Sequence, residues 1–165
     1  IKETDEMEEV LVRGVAHELN AAKITVRHVT DRPGIAAKLF GSLAHRNVNV
    51  DMIIQNTSEA GSTDVSFTVQ NEDLEQALEV CAGVQKELGA ELVVSDSDIA
   101  KVSVVGVGMK SHAGVAANMF EALAAANINI HMISTSEIKI SVVVREADTE
   151  PAVRALHEVF QLAAA

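Results

Sequence analysis

The chain has 165 residues, of which 48% are apolar and 22% are charged, so it has the material for a packed core and not the profile of a disordered segment. Its formal charge of -11 and its aromatic content of 2% argue against nucleic acid, which needs cationic surfaces and stacking side chains. No stretch approaches the roughly 20 consecutive apolar residues of a membrane span, and the N-terminal segment is acidic, so we expect a cytoplasmic protein without a membrane partner.

The first predicted elements are a connector, two strands and a helix. Residues 1–9 carry a run of acidic side chains, which is typical of a solvated linker. Apolar residues then predict strands over Val10–Val15 and Ile24–Val29. A short polar turn follows, and after it apolar residues at four-residue spacing predict a helix. These residues are Ile35, Leu39 and Leu43.

Two further strands, a helix and a last strand complete the first unit. β-branched residues favour strands over Val50–Gln55 and Asp64–Val69, joined by a loop that contains Gly61. A helix with one apolar stripe follows, and then a strand over Glu91–Ser95. The order β-α-β-β-α-β is the split pattern of ferredoxin-like folds. The stripe consists of Leu74, Ala77, Leu78, Cys81 and Leu88.

The second half of the chain repeats the first at a constant offset of 80 residues. Gly34–Asn56 aligns with Gly114–Ser136 without a gap, and ten of the 23 aligned pairs are identical. The repeat predicts another strand over Val102–Val107 and another helix. The two helices are expected to end near Asn47 and Asn127.

The second copy lacks a final strand of its own. Strands over Ile130–Thr135 and Ile138–Val144 precede a helix with Pro151 in its first turn, and no strand follows. Because Val10–Val15 is unassigned, we predict that it fills the empty place. We expect an α+β fold of two four-stranded antiparallel sheets with helices on one face, the first unit being inserted in the second. The predicted divisions are 10–20 for the N-terminal strand, 21–97 for the first unit and 98–162 for the second.

The turns before the first helix of each copy are candidate anion sites. Residues 30–34, Thr-Asp-Arg-Pro-Gly, place a capping-type residue before the helix, and the aligned turn contains Ser111, His112 and Gly114. N–H groups at a helix start have no intrahelical partner and attract a carboxylate, and glycine allows a ligand to approach the backbone. The alternative is an ordinary helix start in each copy.

Other motifs do not indicate catalysis. Gly106, Gly108 and Gly114 follow G-x-G-x5-G spacing, which is not the dinucleotide pattern. The six histidines form no metal-ligand spacing, and Cys81 lies among apolar residues of a predicted helix face. We therefore expect no cofactor, no metal and no catalytic residue.

Two stretches resemble the tandem ACT domains of aspartate kinases. The first contains residues 24–26 (Ile-Thr-Val), 31–36 (Asp-Arg-Pro-Gly-Ile-Ala) and 49–56 (Asn-Val-Asp-Met-Ile-Ile-Gln-Asn). The second contains residues 101–109 and 133–141. The resemblance runs from about Val10 to Leu162 and implies two βαββαβ ACT domains. It also implies that the chain lacks the family's kinase domain and is not an enzyme alone, being either a regulatory β subunit or a C-terminal region.

In this family, ACT domains bind end-product amino acids and inhibit the kinase, so the resemblance implies effector binding between ACT units. Threonine is the expected ligand, with lysine possible, and the expected partners are a second copy of the chain and an aspartate kinase catalytic subunit or domain. The implied effector residues are Asp31, Gly34, Ile35, Ala36, Gln55, Asn129 and Ile130. A possible second site would use Met109, Ser111, Gly114, Val115, Ala116, Asn49 and Val50. The alternatives are a free-standing ACT sensor that regulates transcription or another enzyme, and a small ferredoxin-like enzyme.

Overall fold

The computed structural model describes residues 12–57, 61–106 and 113–161, which divide into two compact units. We call the described residues of 20–98 the inserted unit, and those of 12–19 and 99–161 the host unit. The predicted connector, the first two residues of the strand predicted over Val10–Val15, and Leu162 lie outside the described residues.

The inserted unit has the strand order β2-β3-β1-β4, and β3 pairs antiparallel with both β1 and β2. Strands β1 and β4 contribute residues 20–30 and 92–98 to this unit. A single 3-10 turn, Asn71–Asp73, leads into the second helix. The elements are β1 Val12–Thr30, α1 Ile35–His45, β2 Ile53–Thr57, β3 Ser62–Gln70, α2 Leu74–Leu88 and β4 Leu92–Gly106.

The core of the inserted unit lies between one face of its sheet and the two helices. Side chains alternate across a strand, so Ile24 and its cross-strand partner Phe67 point to the same face and are both fully buried. Leu39 of α1 and Cys81 of α2 belong to the same cluster. On the opposite face Thr25 Oγ1 and Ser66 Oγ lie 2.9 Å apart in a hydrogen bond.

The host unit repeats this plan with the strand order β1-β4-β6-β5. Here β1 and β4 contribute residues 12–19 and 99–106, and β6 pairs antiparallel with β4 and β5. Its core combines apolar side chains of β4 and β6 with Met119, Leu123 and Leu156 of the helices. The elements are α3 Ala113–Ala125, β5 Met132–Thr135, β6 Lys139–Arg145 and α4 Thr149–Val159. Pro151 is the third residue of α4, within its first turn, as predicted.

The first helix of each unit ends with the same backbone conformation. Asn47 and Asn127 each adopt a left-handed conformation with φ of 59°. The next N–H, of Val48 or Ile128, then donates back to the carbonyl of Leu43 at 3.0 Å or of Leu123 at 2.9 Å. Asparagine tolerates positive φ better than most residues, so its repetition marks the predicted helix ends.

Several predicted strand boundaries are wrong. The strand predicted from Val50 begins at Ile53, and the strand predicted from Ile130 begins at Met132. The strands expected over Val10–Val15 and Ile24–Val29 belong, in the described part, to one continuous β1, and those expected over Glu91–Ser95 and Val102–Val107 belong to one β4. Residues 16–23 and 95–101 contain Asp, Ser, Asn and Ala, which have low strand propensity, but sheet pairing overrides that local preference.

The predicted α+β class, with two helices against one face of each sheet and one unit inserted in the other, is confirmed. None of the helices in the described part has the length and apolar character that crossing a membrane requires.

Candidate functional site

The candidate site in the inserted unit is built on the turn between β1 and α1. Gly34 has φ of 93° and occupies the N-cap position of α1, without a side-chain capping bond. The prediction of a capping-type residue in this turn is therefore wrong. Pro33 and the left-handed Gly34 delay the helix until Ile35, so a residue without a side chain takes the cap position. The N–H of Ile35 donates to the carbonyl of Arg32 at 3.4 Å, and no side chain caps the N–H groups that follow it in the first turn.

The side chains around this helix start divide into anchors and exposed groups. Ile35 is buried in the core and fixes the helix, whereas Asp31, Gly34 and Ala36 are exposed. The N–H of Asp31 donates to the carbonyl of Gly61 at 3.0 Å, which ties the turn to the β2–β3 connection. A hydrogen bond therefore fixes the backbone of Asp31, while its side chain is exposed to solvent.

Arg32 is a supporting residue that the sequence did not single out. Its Nη2 donates to the carbonyl of Glu87 near the end of α2 at 3.1 Å, linking the turn to the second helix. Only its place beside Pro33 could have drawn attention to it, because the acceptor is a backbone carbonyl 55 residues away.

Gln55 lies on β2, the outermost strand of this unit's sheet, and is exposed. It pairs with Val65, whose side chain is buried in the core, so Gln55 points to the helix-bearing face. Along β3, Val65 is four residues from Gly61, the residue that bonds Asp31, which corresponds to about 14 Å of strand. Asp31 and Gln55 therefore lie toward the same end of the inserted unit, separated by that length of strand.

The host-unit residues lie in the corresponding elements. Asn129 is exposed and Ile130 packs partly on the core just before β5. The next residue, His131, donates its backbone N–H to the carbonyl of Val143 at 2.8 Å. Its Nε2 is buried without a hydrogen-bond partner among the described residues. The repeat gives no signal for His131, because the aligned position in the first copy holds Asp51.

The possible second site is described only in part. Met109 and Ser111, with the capping candidates Ser111 and His112, lie outside the described residues. Gly114 and Ala116 are half-buried at the start of α3, and Val115 is buried. Asn49 is exposed and Val50 packs against the inserted unit's core before β2.

The described residues contain no group of three or more His, Cys, Asp or Glu side chains placed to hold a metal ion. Cys81 is fully buried, and burial raises the pKa of its thiol from 9.0 to about 11. Such a thiol carries little thiolate near neutral pH and is a structural side chain.

The two units form a duplicated α+β fold in which one unit is inserted in the other, and comparison with known proteins gives the family. The ACT domain family model matches residues 23–84 and 102–160. An aspartate kinase of Stutzerimonas stutzeri is 52% identical over 162 residues, covering 98% of this chain and 39% of the relative.

Solved structures agree with that match. A crystal structure of aspartokinase alpha and beta subunits has a TM-score of 0.86 at 50% identity, covering 92% of this chain and 99% of the other. The ligand-free regulatory subunit of aspartate kinase from Thermus thermophilus also has a TM-score of 0.86, at 45% identity, with coverage of 91% and 99%. The chain therefore belongs to the ACT domain family, as a regulatory part of an aspartate kinase. It spans about 39% of the length of the aspartate kinases it matches.

Proposed function

We propose that this chain binds an end-product amino acid, threonine first and lysine second, and thereby inhibits the phosphorylation of aspartate by an aspartate kinase catalytic part. The observation that carries the proposal is the start of α1, where a left-handed glycine leaves the first-turn N–H groups without a capping side chain. A regulatory ACT region with such a helix start has a ready position for the α-carboxylate of an amino acid.

The neighbouring side chains suit the remaining groups of threonine. The exposed carboxylate of Asp31 can accept hydrogen bonds from the ligand ammonium, and such charge-assisted bonds are the stronger kind. Gln55 carries both a donor and an acceptor and can read the threonine hydroxyl. We place threonine before lysine because a hydroxyl can both donate to and accept from the amide of Gln55.

The proposed pocket is completed by Asn129 and Ile130 of a second copy of the chain. Strands β2 and β5 are each the last in their unit's order, and each carries an exposed isoleucine at the same repeat position: Ile53 is 52% exposed and Ile133 is 43% exposed. Exposed apolar residues on terminal strands favour pairing with another chain. The homodimer would therefore bring these edges together and enclose the effector.

The second proposed pocket resembles the first less closely. Ser111 replaces Asp31, and Thr135 replaces Gln55, so the ammonium loses its carboxylate partner. We propose that it would use Met109, Gly114, Val115 and Ala116, with Asn49 and Val50, and that it binds amino acids more weakly than the first.

Binding across two copies would favour one arrangement by its differential affinity, and β1 with the connector at residues 1–9 would carry that change to the catalytic part. The division at 10–20, 21–97 and 98–162 and a cytoplasmic location remain predictions. A free-standing sensor for another enzyme or for transcription is the second candidate.

Titration of purified chain with threonine tests the site. We expect Asp31→Ala and Gln55→Ala each to weaken threonine binding by roughly tenfold or more, the loss of one charge-assisted or buried hydrogen bond. Gln70→Ala, at an exposed position at the end of β3, is the matched control and should leave affinity unchanged. Equal affinity in all three variants would refute the pocket.

A further inference from the structure

A small hollow in the host unit lies apart from the helix start discussed above. Its volume is about 170 Å³, which is below the roughly 300–1,000 Å³ of drug-sized pockets. Ser103, Val105 and Lys139 line it from β4 and β6, and Ala16 and Glu18 line it from β1. An occupant of this hollow must be a molecule of a few heavy atoms.

The strand register places the hollow on the sheet face opposite the helices. Val102, Val104 and Val142 point into the core, so the alternating residues of the same strands point away from it. Ser103 pairs with Ser141, and their hydroxyl oxygens lie 2.7 Å apart. Both residues are buried, Ser103 being 4% exposed and Ser141 2% exposed. The lining of the hollow therefore includes one hydroxyl, that of Ser103, which is held by a hydrogen bond to Ser141.

Charges of both signs stand at its walls. Lys101 is only 14% exposed, and its Nζ lies 3.4 Å from Oε2 of Glu18, which leaves the second carboxylate oxygen of Glu18 for another donor. Lys139 is half-buried on the neighbouring strand, and its ammonium forms no ion pair with any carboxylate in the described ranges. An ammonium group that no carboxylate pairs can form charge-assisted hydrogen bonds to an added anion.

We propose that this hollow is a further amino-acid site, distinct from both pockets proposed above, which takes a small free α-amino acid. The α-carboxylate would accept hydrogen bonds from the Lys139 ammonium, and the α-ammonium would donate to the free oxygen of Glu18. The size of the hollow, the charges of both signs at its walls and the buried Ser103 hydroxyl match a small zwitterion. This proposal does not depend on the site at α1, because all of its residues belong to the host unit.

A simple anion is the rival occupant, since Lys139 alone could hold phosphate or a carboxylate. The α-ammonium of an amino acid distinguishes it from a simple anion in this hollow. An amino acid uses Glu18, whereas phosphate and lactate, the hydroxy-acid counterpart of alanine, cannot donate an ammonium hydrogen bond to it.

The test is calorimetric titration of the whole chain carrying Gln55→Ala, which removes a side chain of the α1 site. The titrants are alanine, threonine and aspartate, with lactate and inorganic phosphate as reference anions, up to about 10 mM. We expect amino-acid binding that Lys139→Ala weakens at least tenfold, that Lys139→Arg largely retains, and that Glu18→Gln weakens for amino acids only. Lys86→Ala on α2 is the control for loss of one surface charge.

Three results would overturn the proposal: no heat with any amino acid, affinity that is the same in Lys139→Ala as in the parent, or binding of lactate and phosphate as tight as that of alanine and insensitive to Glu18→Gln. Melting curves of each variant, compared with that of Lys139→Arg, separate lost binding from lost folding. Failure of the α1 site would appear instead as threonine affinity that Gln55→Ala does not change.

Discussion

Two glycines of α2 are expected to respond in opposite directions to the same substitution. Gly83 lies in the helix interior, and a Cβ added there meets nothing within 4 Å. Gly89 caps the helix in a left-handed conformation with φ of 65°, and a Cβ added there would fall inside contact distance of Thr30 Oγ1. Thr30 directly precedes the turn that carries the proposed effector site.

The magnitudes follow from the backbone. Gly83→Ala should stabilise the chain by about 0.5–1 kcal/mol, because alanine loses less conformational freedom than glycine in a helix. Gly89→Ala should destabilise it by about 1.5–3.5 kcal/mol. Roughly 1–2 kcal/mol of this comes from the left-handed conformation, and about 0.5–1.5 kcal/mol from displacing the Thr30 rotamer.

Urea denaturation of the two variants and the parent measures both free energies of unfolding. We also expect Gly89→Ala to weaken threonine binding, because it displaces Thr30, which is adjacent to Asp31 in the chain. Gly83→Ala should leave threonine affinity unchanged. A Gly89→Ala chain as stable as Gly83→Ala would refute the assignment of the α2 C-terminus and its contact with Thr30.

Further predictions concern buried groups. Cys81 in the folded chain should be alkylated at pH 8 about 100-fold more slowly than an ordinary thiol, because burial raises the pKa of its thiol from 9.0 to about 11. Mass spectrometry after timed quenching measures the rate, and a normal rate would contradict the burial of Cys81. Ser103→Ala should lower the free energy of unfolding by about 1–3 kcal/mol, because the buried Ser141 hydroxyl loses its hydrogen-bond partner. The variant with alanine at both Ser103 and Ser141 should lose less than twice that amount. Additive losses in urea titrations would show that the two serines are not coupled. Leu43→Ala and Leu123→Ala, at equivalent repeat positions and both fully buried, should each cost about 2–5 kcal/mol, and a loss below 1 kcal/mol in thermal melts would contradict the core assignment.

The repeat made most of the fold predictable from sequence. Ten identical pairs at one offset mark equivalent helices and strands, and the unassigned N-terminal strand indicated that one unit interrupts the other. The helix ends were also readable, because Asn47 and Asn127 recur where the backbone must turn left-handed. Local chemistry and tertiary structure agree at these positions.

Two features could not be read locally. The continuity of β1 and β4 depends on pairing with neighbouring strands, which stabilises residues of low strand propensity such as Asn20 and Asp96. The cap of α1 depends on the Pro33–Gly34 turn, and polar residues upstream of it imitate a capping signal without making the bond. Both errors arise where backbone geometry outweighs side-chain preference.

The candidate sites differ in how far sequence could reach them. Asp31 and Gln55 were identified by resemblance to the family, and the fold adds that both are exposed toward one end of the inserted unit. The hollow beside Lys139 had no sequence signal, because its residues come from three strands that are far apart in the chain. Only the register of β1, β4 and β6 brings them to one face.

We propose that this regulatory part of an aspartate kinase senses an end-product amino acid across two copies of the chain. The first experiment is isothermal titration of the purified chain with threonine and, separately, with lysine, with sizing of the protein before and after ligand. We expect threonine-selective binding accompanied by a stabilised dimer. Absence of binding to both amino acids, or threonine binding by a chain that stays monomeric, would contradict it.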